Sequence, residues 1–171
     1  MSEGIPPSFR RLAALLIFAI AAHNLEEWIT FPIFGELSGM MSQRLGINDV
    51  PKTWPIVQGG LLFVTVVPAF LLLLGMRTRK TWGSWMICWI ASIFLANVFI
   101  PHIPAMIILG GYAPGGLTAV LVNLPLTLLI LAQARKANLV TNVQFVFAIF
   151  AGVLSLPFAI QLAYAVAGIF V

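Results

Sequence analysis

Leu61-Leu62-Phe63-Val64-Thr65-Val66-Val67-Pro68-Ala69-Phe70-Leu71-Leu72-Leu73-Leu74 is a run in which Thr65 is the only polar residue. A β-barrel strand alternates apolar and polar residues with period two. Four consecutive leucines, Leu71 to Leu74, break that alternation, so the run reads as a helix. Its surroundings from Pro55 to Gly75 supply the roughly 20 apolar residues that a bilayer crossing needs. Four similar stretches lie around it: Leu12 to Ile33, Trp82 to Ile100, Gly116 to Ala134, and Phe145 to the end. The expectation is an all-α, polytopic membrane bundle of five transmembrane helices forming one domain over residues 1–171.

Composition supports this. Of the 171 residues, 61% are hydrophobic and 8% charged, against roughly 25% charged in a soluble domain. A net charge of +4 comes without any basic patch interleaved with aromatics, so no nucleic-acid partner is expected. The single cysteine, Cys88, excludes an intramolecular disulfide. Seven of the nine basic residues fall in three segments: Arg10-Arg11, Arg77 to Lys80, and Arg135-Lys136. Five spans place all three on one side, leaving Arg44 and Lys52 opposite. The positive-inside rule then predicts a cytoplasmic N-terminus. Trp28 and Trp54 fall at outer ends, and Trp82 and Trp85 at an inner end. The expected location is a plasma (inner) membrane of a prokaryote, with membrane lipids as partners.

Arg10-Arg11 followed by Leu12 to Ala22 also resembles a cleavable signal peptide. Apolar character resumes at Trp28-Ile29 and Phe31 to Phe34, which favours a retained span. Residues 34–54 form an outer loop with Gly35, Gly39, Gly46, Asp49 and Pro51. Residues 101–115 are rich in proline and glycine around Ala105 to Leu109, too short to span. They either dip back into the protein, as a re-entrant segment, or lie at the interface. Pro68, Pro125 and Pro157 predict kinks.

Ionisable residues inside a span are costly and mark function by default. Only the first span carries them, in His23-Asn24-Leu25-Glu26-Glu27. Positions i, i+3 and i+4 share a helix face, so both carboxylates lie one turn from His23. Counted from Leu12, His23 is about 16 Å and Glu27 about 22 Å along the helix. His102 follows the third span on the outer side. Asn97, Gln58, Asn123, Gln161 and Tyr164 add polar groups toward the outer halves of the spans, as a polar cavity there would require. Asn97, Asn123 and Gln161 read first as hydrogen-bonding groups between helices.

Three signatures occur in order: H-x-x-E-E at His23 to Glu27, a further histidine at His102, and Y-x-P-G at Tyr112 to Gly115. The set resembles the HXXEE domain family of integral membrane proteins, and the match covers residues 23–115 without departure at the defining positions. The resemblance implies these positions as site residues and implies no reaction.

Three functional classes fit the residues. One is a metal-dependent membrane enzyme. Its ligands are His23, Glu27 and His102, around Zn or Fe(II), with an open position for chemistry. Glu26 is then the general base, and the Tyr112 hydroxyl stands within reach of a ligand. The pattern is similar to an inverted H-x-x-E-H zinc motif with Glu27 in the last position. A carboxylate-bridged di-iron centre is disfavoured, because it draws on four carboxylates. The second class is a metal-free acid–base isomerase or cyclase of a lipid or isoprenoid, one glutamate donating a proton and its neighbour or His23 accepting one. The third is a proton-linked carrier or a structural membrane protein, though the chain lacks the internal repeat of many transporters. In the first two classes the substrate is a lipidic small molecule. Two carboxylates in a bundle with no lysine or arginine inside any span need compensation nearby. The expectation is therefore that His102 stands within direct or one-water reach of Glu26 or Glu27, with Tyr112 on the rim.

Overall fold

The computed structural model describes residues 4–34 and 53–170. Gly35, Gly39, Arg44, Gly46, Asp49, Pro51 and Lys52, on which the reading of the outer loop rested, lie outside the described residues. Among the described residues, five helices are long and apolar enough to cross a membrane: α1 (Pro7–Thr30), α2 (Trp54–Arg77), α3 (Lys80–Leu109), α4 (Gly116–Lys136) and α5 (Asn142–Ile169). No strand occurs among the described residues. Lipid offers no hydrogen bonds to backbone groups, so each span must satisfy its own, and a helix does. Large apolar side chains such as Phe18, Phe70, Leu121, Phe150 and Phe158 point out of the bundle. This outward apolar shell marks a multi-pass membrane protein.

Helix ends follow the local sequence. Pro7 occupies the first helical position of α1, where its missing N–H costs nothing. Thr141 caps α5 by accepting from the Gln144 N–H, and the Gln144 side chain accepts in return from the Thr141 N–H. Asn138, at φ 49°, closes α4 in the left-handed region. The tight turn lets Leu139 N–H reach the Ala134 carbonyl.

Helix α3 packs against α2, α4 and α5, while α1 lies against α2 and α4. Ile5 and Phe9 join Leu72, Ile87, Ala134, Leu139 and Val140 in one buried cluster. The start of α1, the α2–α3 turn and the α4–α5 turn therefore meet at one end of the bundle. All three basic segments gather there.

The third span runs further than its sequence suggests. Residues 101–109 continue α3 in place of a separate re-entrant or interfacial element, and only residues 110–115 form a turn. The reason is a π turn at Val98–His102, where Ile103 N–H bonds to the Val98 carbonyl five residues back. Proline lacks an N–H, and its ring crowds the carbonyl four residues earlier. The wider turn accommodates Pro101 on both counts. Helix α3 then stops at Gly110, φ 68°, with Gly111 N–H on the Met106 carbonyl. A second π turn, Ala119–Asn123, precedes Pro125 in α4. Pro68 and Pro157 instead lie within continuous helix.

Candidate metal centre

Helix α1 delivers His23, Glu26 and Glu27 to the end of the bundle opposite the basic segments. The two glutamates are adjacent in sequence but point to different partners. Glu26 turns to the start of α4. Its Oε1 accepts from the Tyr112 hydroxyl at 2.6 Å and from Leu117 N–H at 3.2 Å. Its Oε2 accepts from Thr118 N–H at 2.8 Å and from the Thr118 hydroxyl at 2.5 Å. Those two N–H groups belong to the first turn of a helix, where no intrahelical carbonyl is available to them. A carboxylate from another helix thus caps α4, at the terminus where a negative charge is favoured.

Glu27 turns to the histidines. Its Oε1 lies 3.5 Å from His102 Nε2 and 3.9 Å from His23 Nε2. Both imidazoles are almost fully buried, and their rings meet edge-on with centroids 4.7 Å apart. Asn97 completes the group, its amide nitrogen standing 3.1 Å from each Nε2.

The hydrogen bonds assign the protons. His102 Nδ1 is 3.1 Å from the Pro114 carbonyl, which can only accept, so Nδ1 carries the hydrogen. His23 Nδ1 is 3.0 Å from the Thr118 hydroxyl, whose own hydrogen goes to Glu26. That hydroxyl therefore accepts, and His23 is also protonated on Nδ1. Both Nε2 lone pairs face Asn97 and Glu27. Holding a histidine by its far nitrogen is how proteins orient a metal ligand. One ligand atom from each of His23, Glu27 and His102 lies within 4.8 Å of the others, so these three could hold a metal ion.

The Y-x-P-G signature closes the site. Tyr112 reaches Glu26, and the Pro114 carbonyl holds His102. Gly115 adopts φ 72°, and a Cβ there would stand 2.7 Å from Glu27 Cγ and 2.8 Å from His102 Cε1. Only glycine fits both the backbone angle and the space. Tyr112, in the turn outside the spans, has its pKa raised above the ordinary 10.0, first by burial and then by donating to Glu26.

The family comparison covers the residues of this site. The profile described as a protein of unknown function with HXXEE motif matches residues 14–130. The chain belongs to the HXXEE family. A relative from Bacillus subtilis (strain 168), the uncharacterised protein YrkK, is 26% identical over 129 residues, which is 74% of this chain and 77% of the relative. No solved structure matches. In this HXXEE protein the two motif glutamates thus divide between capping α4 and facing the histidines.

A cavity of about 260 Å³ opens beside the group. Glu27, Asn97 and His102 form part of its wall, and Phe31, Val64, Pro68, Phe94 and Leu156 line much of the rest. Tyr164 also borders it, as the outer-half reading of α5 anticipates, whereas Gln161 is exposed on the outside of the bundle. Asn24 ties α1 to α2 by donating to the Thr65 hydroxyl at 2.7 Å. Asn123 is buried with neither amide atom bonded to another group. Sequence reading singled out His23, Glu26, Glu27, His102 and Tyr112, and the structure brings all five together. It gave Asn97 only a general role between helices and passed over Thr118. No local pattern marks Thr118. The signal for Asn97 was its spacing of five from His102 beside Pro101, where the helix takes a π turn.

Proposed function

We propose that this HXXEE protein is a metal-dependent membrane enzyme acting on a small molecule with an apolar chain. The observation that carries the reading is the convergence of His23 Nε2, Glu27 Oε1 and His102 Nε2 beside an apolar cavity whose wall includes Glu27 and His102, with both imidazoles held by Nδ1. His23, Glu27 and His102 are the ligands. Two imidazoles and one carboxylate suit Zn²⁺ or non-haem Fe(II). When bound, such an ion supplies Lewis-acid activation of a polar headgroup or of water. The cavity receives the apolar chain; its volume is near the lower end of small-molecule pockets. Glu26 and Tyr112 act as positioning residues, a different role from the base first considered for Glu26. Both oxygens of Glu26 already accept two hydrogen bonds, and its chain through Thr118 orients His23.

The gathering of basic residues at one end supports a cytoplasmic N-terminus, with the site in the outer half of the bilayer. A Bacillus relative supports a bacterial plasma membrane. Elemental analysis of chelator-washed, detergent-purified protein tests the reading. One metal ion per chain is expected, and none in His102→Ala. A wild-type chain without metal affinity would overturn it.

One observation favours a second reading, a metal-free acid–base isomerase or cyclase. Asn97 alone satisfies both Nε2 lone pairs, and Glu27 is close enough to His102 to exchange a proton. Turnover of a lipid or isoprenoid by metal-depleted protein would select it.

A further inference from the structure

Resting on the metal reading, we infer that Asn97 is a fourth ligand of the same ion. Its amide turns over, so that Oδ1 replaces Nδ2 at the centre. As the side chain stands, Nδ2 donates to both Nε2 atoms at 3.1 Å. A cation taking those lone pairs displaces both hydrogen bonds, and an N–H left there would point at positive charge. Rotation of the amide by 180° about its last bond puts an acceptor in the donor's place without moving the backbone. The oxygen takes no part in the two existing bonds.

The distances fit a ligand as well as the donor now in place. Tetrahedral coordination with bonds of 2.0–2.1 Å separates neighbouring donor atoms by about 3.3 Å. The Asn97 amide terminus is 3.1 Å from each imidazole nitrogen, and Glu27 Oε1 is 3.5 Å and 3.9 Å from them. At His102 the amide and the carboxylate depart equally from tetrahedral spacing, and at His23 the amide is the nearer of the two. The π turn makes this possible. In a regular α-helix, residues five apart point about 140° away from each other. The i→i+5 bonding at Val98–His102 brings Asn97 and His102 onto one face. An amide oxygen is a weak, neutral ligand, and water or a substrate headgroup from the cavity can replace it. This keeps the open position that a catalytic ion needs.

The test uses the full chain in detergent, stripped with chelator. Zn²⁺ affinity is measured against a chromophoric competitor, and the visible spectrum is recorded with Co²⁺. Asn97→Ala is expected to bind at least about tenfold more weakly, with altered Co²⁺ bands as water enters. Asn97→Asp, which keeps the oxygen and loses the donor, is expected to match or exceed wild type. If Asn97→Ala binds as tightly or more tightly with an unchanged spectrum, Asn97 is only a donor to the free lone pairs, and the inference is overturned while the metal reading stands. Absence of binding by wild type overturns both. Should the alanine variant not fold, the nearly isosteric Asn97→Leu, which lacks any ligand atom, decides. Affinity at least about tenfold below wild type supports ligation, and affinity equal to wild type overturns it.

Discussion

The two ends of the bundle are built on different principles. At the basic end, Phe9, Leu16, Leu72, Ile87 and Ile130 are fully buried and wholly apolar. There the helices touch through small residues. A Cβ on Gly83 would collide with the Gly75 carbonyl, Ile5 and Thr78. Lipid is as apolar as these side chains, so their association rests on close packing rather than on escape from water. At the site end, His23, Asn24, His102 and Asn123 are buried instead. There a polar atom without a partner is costly; both histidines and the Asn24 amide nitrogen have named partners, and the Asn123 amide is the exception. Packing at the basic end tolerates exchange among apolar side chains of similar volume. The polar end tolerates little, because each group fixes the next: Tyr112 and Thr118 hold Glu26, and Thr118 holds His23.

This contrast can be broken first at Glu26. Replacement by Gln halves the acceptors facing four donors and turns an amide N–H toward two of them. A loss of roughly 2–3 kcal/mol of stability is expected. Metal affinity should fall by about tenfold to a hundredfold, typical of outer-shell losses. Thermal unfolding and metal titration of one sample read both quantities. Retention of full affinity would mean that the Thr118 link does not orient His23.

Gly115→Ala comes next. The φ of 72° and the contacts with Glu27 and His102 forbid a Cβ, and strain of about 1–3 kcal/mol is expected. The displacement falls on two ligands, so metal affinity should drop with stability. Ile87→Ala is the control from the other end. It opens a cavity costing about 2 kcal/mol, yet metal affinity should remain that of wild type. If Ile87→Ala weakened metal binding as much as Gly115→Ala, the two ends would not be separable.

The same contrast explains what could be read from sequence. The leucine run at Leu71 to Leu74 and the basic segments disclosed the helices and their gathered ends, because composition and length decide a bilayer crossing. His23, Glu27 and His102 were legible because ionisable residues within spans stand out against an apolar background. Their meeting was predicted from charge compensation, and the 3.5 Å between His102 and Glu27 fits it. What stayed hidden depends on exact turns. The extension of α3 through Pro101 required a π turn, which a proline more often signals as a kink or break. Glu27 was legible as the ligand apart from Glu26, but the place of Glu26 as the cap of α4 required knowing that α4 begins beside α1. Thr118 is an ordinary residue made important only by that placement.

Tyr112 carries the smallest expected effect and sharpens the polar end most finely. Its hydroxyl supplies one of the four hydrogen bonds to Glu26. Its ring lies 5.3 Å from that of Phe34. Tyr112→Phe keeps the ring and removes the hydrogen bond, a loss of about 1 kcal/mol. The pH dependence separates the two contributions. Burial, then donation to Glu26, raises the Tyr112 pKa above 10.0, so the fold favours the neutral phenol. Stabilisation from a raised pKa is complete below the unfolded value and disappears as pH rises through the folded one. The melting temperature of wild type should therefore exceed that of Tyr112→Phe by a constant margin below pH 10. At higher pH the margin should shrink, because the ionised phenolate has no proton to give Glu26 and repels it. A margin that persisted unchanged into strong alkali would mean that its source is not the proton given to Glu26, and no margin at any pH would place the contribution of Tyr112 in its packing on Phe34, with Glu26 held by α4 alone.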